Sequence, residues 1–102
     1  MNDITMLDRL WNVIEDRKAN PKEESYTCRL LNKGTEEIAK KVGEEAIEVI
    51  VAMANDDRDQ VAYEAADLLY HLWVALAHSG ITPADVYAQL ESRYQAGSHK
   101  EE

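Results

Sequence analysis

Phenylalanine is missing from this chain, and glycine, proline and cysteine are scarce, with 4, 2 and 1 among 102 residues. So few glycines and prolines leave few places to turn, which disfavours a many-stranded sheet and favours long helices. Cys28 is the lone cysteine, so no intrachain disulfide can form, and the composition fits a reducing compartment. Positive charge is also short. The chain has 11 Lys and Arg against 20 Asp and Glu, a net charge of −9. General binding to nucleic acid or to an anionic membrane is therefore not expected. The most apolar run, Leu68 to Ala77, contains His71 and is too short to cross a bilayer. Met1-Asn2-Asp3 has neither the basic start nor the apolar core of a leader. The expectation is a soluble, cytoplasmic protein with no nucleic-acid or membrane partner.

What is present is helical. Apolar residues make up 45% of the chain, enough for one modest core. Leu7, Leu10, Trp11 and Ile14 recur at helical spacing and predict a helix over about Thr5–Lys18, ended by Asn20-Pro21. A short second helix is expected from Ser25 to about Asn32. Gly34 punctuates, and Thr35 is the expected N-cap of a third helix reaching Ala54, with Glu36 and Glu37 where the helix dipole favours acids. Asp56 or Asp57 caps a fourth helix running to Ser79, and Gly80 closes it. Thr82 and Pro83 open a fifth. One all-α domain over 1–95 is expected, then a loose polar tail over 96–102.

Helices three and four carry more apolar surface than one face needs. Ala46–Ala54 is apolar on every side except at Glu48, and Ala65–Ala77 on every side except at Asp67 and His71. Such helices need neighbours all round. A single small chain hardly supplies them, so a homodimer with a shared helical bundle is expected.

The acids on these two helices are the candidate chemistry. Glu45 and Glu48 are three apart, as are Glu64 and Asp67, so each pair shares a helix face. Counted from Asp56 at the link, Glu48 and Glu64 lie equally far along their helices, as do Glu45 and Asp67. With a rise of about 1.5 Å per residue, antiparallel helices would bring all four to one layer. Converging carboxylates cannot all stay ionised without help. Either they share protons or they hold a hard divalent cation, and Mg²⁺ suits, since it takes a few carboxylates and keeps room for substrate phosphates. One or two such ions could polarise a phosphoryl oxygen and activate water. Three-apart acids are more often a solvated helix face, but Glu45 lies inside an apolar stripe, and buried acids are rare unless paired or bound to metal.

Glu44 points about 100° away from Glu45. It could support a second ion or pair with Lys40 or Lys41. Arg29, Lys33, Lys40 and Lys41 form a basic group that suits phosphates or merely offsets acids. Ser25, Tyr26 and Thr27 could donate to phosphate or ribose, or cap a helix. His71 reads as a core or acid-pairing histidine. It lies four after an Asp, without the Glu-x-x-His spacing of di-iron bundles. Cys28, Trp11, Trp73, Tyr63 and Tyr70 read as packing residues.

Glu44-Glu45-x-x-Glu48 followed by Glu64-x-x-Asp67 resembles the signature of the all-alpha nucleotide pyrophosphohydrolases, which include MazG-type enzymes and dimeric dUTPases. Further stretches are similar to the phosphoribosyl-ATP pyrophosphatase family within it. They are Ser25–Leu31, Lys33-Gly34-Thr35, Ala39–Glu45 and Glu64–His71, in a likeness extending from about Leu7 to Tyr94. The resemblance implies an intertwined, all-helical dimer. It also implies Mg²⁺-dependent hydrolysis of phosphoribosyl-ATP, between its α and β phosphates, to phosphoribosyl-AMP and pyrophosphate, the second step of histidine biosynthesis. Carried over, Glu45, Glu48, Glu64 and Asp67 would bind metal, with Glu44 auxiliary. Arg29, Lys33, Lys40 and Lys41 would meet the phosphates. Cys28 stands where the family commonly has Ala. A cyclohydrolase, fused in some relatives, would be a separate chain here. Two other readings remain: a house-cleaning enzyme for noncanonical nucleoside triphosphates, and a non-catalytic helical dimerisation module.

Overall fold

The computed structural model describes residues 4–96. Among these are five helices and no strand: α1 Ile4–Ala19, α2 Tyr26–Lys33, α3 Thr35–Ala54, α4 Arg58–Ser79 and α5 Pro83–Gln95. The all-α expectation holds. The expected tail, beyond Ala96, lies outside the described residues.

The helix ends follow from local chemistry. Arg17 and Lys18 occupy the last turn of α1, where cations suit the helix dipole. Ser25 caps α2 by accepting from the Cys28 backbone N–H at 3.2 Å. Asp57 caps α4 by accepting from the Gln60 N–H at 3.1 Å. Asp56, just before it, takes a left-handed φ of 59°, which Asp tolerates better than most residues. Gly80 closes α4 at φ 74°. Thr82 and Asp85 form a reciprocal capping box at α5, with Pro83 at its start.

One expectation is corrected. Thr35 is the first residue of α3 rather than its cap. Gly34 takes the cap position at φ 89° with no side-chain cap bond, a backbone that glycine adopts readily. The Thr35 hydroxyl is instead hydrogen-bonded to His78 Nε2 at 2.9 Å, joining the start of α3 to the end of α4.

The three-residue link makes α3 and α4 an antiparallel hairpin, the most extensively packed pair in the chain. The buried residues of α3 are Ile38, Glu45 and Ala52, each seven apart. Seven residues come close to two full helical turns, so one narrow stripe meets α4 along its length. α1 and α2 cover one end of the hairpin. There Ile14, Leu30, Ile38, Trp73, Val74 and Ala77 form the core, with Leu7, Leu10, Trp11 and Leu31 packed around it. Lys18 Nζ donates to the Ala77 carbonyl at 2.7 Å and ties α1 to the last turn of α4. Buried Cys28 is a packing residue, as read: its Sγ accepts from the Lys22 N–H at 3.3 Å and donates to the Arg17 carbonyl at 3.4 Å. The other end of the hairpin is uncovered. Ile47, Ile50, Val51, Met53 and Tyr63 are exposed there, so Tyr63 is not the core residue its spacing indicated. α5 stands largely clear of the other helices, with Tyr87, Leu90 and Tyr94 exposed.

Candidate active site

The acids meet where the covered and uncovered parts of the hairpin join. Glu45 sits at the middle of the α3 stripe, two turns after Ile38 and two before Ala52, so the packing that buries those residues also buries its side chain. Glu64 lies opposite on α4, one turn before Asp67. Glu45 and Glu64 are each only 9% exposed. One carboxylate oxygen from each of Glu45, Glu64 and Asp67 lies within 4.8 Å of the others.

Three carboxylates this close, two of them nearly buried, repel one another, and each pays to leave water. A hard divalent cation resolves both costs. The all-oxygen donor set suits Mg²⁺, with room left for water and phosphate oxygens. Gln60 Nε2 donates to Glu64 Oε2 at 2.6 Å, which fixes that carboxylate's orientation. Gln60 was not singled out in the sequence, although it lies four residues before Glu64 on the same helix face.

Glu48 is not part of this group. It lies one turn past Glu45, rotated onto the flank of α3 that α4 does not cover, and it is exposed. The height argument placed all four acids in one layer, and height alone does not fix the direction in which a side chain leaves its helix. Glu44, also exposed, pairs with Lys41 at 3.5 Å, and Lys41 reaches Glu45 at 3.7 Å. Burial draws the Lys41 ammonium down. Its neighbours Tyr26, Glu44 and Glu45 together outweigh this and hold it above its ordinary 10.5.

The remaining cations lie further out. Lys33 and Lys40 border an open cleft with Glu36 and Glu37, where α2 passes into α3. Arg29 is exposed on α2. Its guanidinium lies 5.9 Å from the centre of the Tyr26 ring, and it donates to the Glu24 carbonyl at 3.2 Å. The structure thus places Lys41 directly beside the acids, while Arg29, Lys33 and Lys40 have their shown contacts elsewhere, on α2 and at the start of α3.

Residues 7–94 match the family described as phosphoribosyl-ATP pyrophosphohydrolase. The chain belongs to that family. Phosphoribosyl-ATP pyrophosphatase of Sulfurisphaera tokodaii is 52% identical over 88 residues, covering 86% of this chain and 94% of that one. The enzyme of the same name from Geobacter sulfurreducens is 48% identical over 96 residues, covering 94% and 89%. The histidine biosynthesis bifunctional protein HisIE of Caldanaerobacter subterraneus is 50% identical over 92 residues, which are 90% of this chain but 45% of that longer protein. The resemblance carried by the acid and glycine-containing stretches is therefore correct at the level of the family. Among the described residues, no helix is long and apolar enough to cross a membrane.

Proposed function

We propose that this chain hydrolyses phosphoribosyl-ATP to phosphoribosyl-AMP and pyrophosphate, as the second step of histidine biosynthesis, with Mg²⁺ as cofactor in the cytoplasm. The observation that carries this reading is the meeting of Glu45, Glu64 and Asp67 in a chain whose family is that of phosphoribosyl-ATP pyrophosphohydrolases. Bound there, Mg²⁺ would supply positive charge for the phosphoryl oxygens and lower the pKa of water. Glu45, Glu64 and Asp67 hold it, and Gln60 keeps Glu64 in place. Glu48 joins from the exposed flank of α3, and Glu44 acts as an auxiliary acid through Lys41. Arg29, Lys33, Lys40 and Lys41 bind the phosphates, with Lys41 nearest the acids.

The working form is a homodimer. Ile47, Ile50, Val51, Met53 and Tyr63 on the hairpin, and Tyr87, Leu90 and Tyr94 on α5, are too many large apolar side chains to leave in water on a small domain. A second copy would cover them and close the open flank of the site beside Glu48. The single functional domain spans residues 1–95.

The test is pyrophosphate release from phosphoribosyl-ATP with and without Mg²⁺, beside dUTP and ATP. Mg²⁺-dependent release from phosphoribosyl-ATP alone is expected. Release chiefly from a control would leave the acid site and remove this substrate. No release from any of them, by folded protein, would favour the non-catalytic dimerisation module.

A further inference from the structure

Four side chains outside the acid group, His71, Tyr26, Thr27 and Tyr70, join α2 to α4 beside Asp67. His71, 5% exposed, follows Asp67 by one turn of α4. Its Nδ1 is 2.8 Å from the Asp67 backbone carbonyl, which can only accept, so Nδ1 carries a proton. In the neutral ring Nε2 is then an acceptor, and the Tyr26 hydroxyl, 3.0 Å away, donates to it. Beside this bond the Thr27 and Tyr70 hydroxyls are hydrogen-bonded to each other. The rings interlock: Tyr26 stacks on Tyr70 with centroids 6.2 Å apart, and the edge contact between Tyr70 and His71 is 5.0 Å. Two hydrogen bonds therefore fasten the first turn of α2 to α4, across more than 40 residues of sequence.

Both ends of this connection reach the site. One end is the backbone of Asp67, whose carboxylate belongs to the acid group. The other is the Tyr26 phenol, which neighbours the Lys41 ammonium that pairs with Glu45. The outer face of the Tyr26 ring carries the Arg29 guanidinium. Tyr26 is 42% exposed while His71 is buried, so the connection runs from the interior of α4 to the surface of α2 that bears Arg29.

We propose that His71 and Tyr26 are positioning residues, a hydrogen-bonded bridge that holds the basic arm of α2, Arg29 foremost, at a fixed distance from the acidic group on α4. The inference rests on the function proposed above and adds to it. The acids hold the cation, and the bridge sets where the substrate's phosphates meet Arg29 relative to that cation. Neither bridge residue has to touch the reacting atoms.

The decisive variant is Tyr26→Phe, which keeps the ring and the Arg29 contact and removes only the O–H. Losing one hydrogen bond between neutral groups should raise KM for phosphoribosyl-ATP roughly 3- to 10-fold, with kcat within about twofold of the wild type. His71→Leu should act in the same direction. His71→Gln, whose amide oxygen can still accept from Tyr26, should recover part of the loss. Nitrogen-15 NMR of the wild type should show the neutral His71 ring protonated at Nδ1. An unchanged KM in Tyr26→Phe, or a proton at Nε2, would overturn the bridge. A wild type inactive on phosphoribosyl-ATP would remove the substrate reading instead. The bridge would then be judged by the position of the imidazole proton and by whether Tyr26→Phe binds inorganic pyrophosphate with Mg²⁺ more weakly.

Discussion

Toward its open end the α3–α4 hairpin presents Ile38, Trp73, Val74 and Ala77 to α1 and α2, and all four are buried. Toward its link it presents Ile47, Ile50, Val51, Met53 and Tyr63 to nothing in this chain, and all five are exposed. The two halves are made from the same kinds of residue, so composition does not explain the difference. Coverage does. The first half has two helices of its own chain laid over it, and the second has none. Glu45, Glu64 and Asp67 meet between these two regimes, with Glu45 and Glu64 nearly buried and the neighbouring Glu48 exposed. A rigid support on one side with an opening on the other is what a site of fixed geometry requires.

The largest expected effect lies at that border. Glu64→Gln leaves a side chain of the same size and removes one negative charge from the acid group. Turnover of phosphoribosyl-ATP should fall by about a hundredfold or more, as expected when several kcal/mol of charge stabilisation are lost. Thermal stability measured without Mg²⁺ should hold or rise, because like-charge repulsion is relieved. The stabilisation that added Mg²⁺ gives the wild type should shrink in the variant. Glu48→Gln makes the sharper comparison. The same loss of turnover there would mean that this exposed acid joins the site once the flank is covered. Near-normal turnover would confine the metal site to the other three acids.

Next come matched truncations in the two halves. Ile38→Ala opens a cavity in the covered half and should cost about 2–5 kcal/mol in chemical denaturation. Ile47→Ala would cost under about 0.5 kcal/mol if its surface faced water. Against a second copy it should cost markedly more, and the cost should depend on protein concentration. Equal and small effects of Ile47→Ala at every concentration would break the dimer reading. Ile50→Glu asks the same question by charge, and sedimentation should show it shifting the protein to monomer.

The helices themselves were legible in the sequence, because their signals are local. Pro21, Gly34, Asp57, Gly80 and Thr82-Pro83 mark boundaries through backbone preferences that act within a few residues. The one misplaced cap, Thr35, has its hydroxyl bonded to His78, which lies 43 residues away in sequence and outside the reach of any local pattern. The acid site shows the same division. Spacing brought Glu45 together with Asp67 and marked Glu45 as buried. It did not give the rotation that turns Glu48 outward, which depends on where α4 lies across α3. Tyr26 and His71 were each noticed, but nothing in the sequence pairs residues 45 apart. Gln60 could have been found, since it stands one turn before Glu64, where i,i+4 partners meet.

The smallest effect probes how firmly the covered half grips its polar groups. Burial raises the Tyr70 hydroxyl above its ordinary 10.0, against the opposing hydrogen bond from Thr27 and with smaller support from Tyr26 and Cys28. Between the unfolded value and the folded one, the native protein keeps a proton that the unfolded chain has released. The stability linked to Tyr70 is therefore complete below about pH 10 and is lost as pH climbs through the folded value. Lys41, also raised, contributes in the same sense, so wild-type stability alone would not isolate Tyr70. Comparison with Tyr70→Phe does: the variant should be less stable near neutrality, for want of the Thr27 bond, yet lose stability less steeply at alkaline pH. Parallel alkaline slopes would mean that the phenol is as well solvated in the folded chain as in the unfolded one. The packing of Tyr70 against Tyr26 and His71 would then be looser than the geometry of the covered half implies.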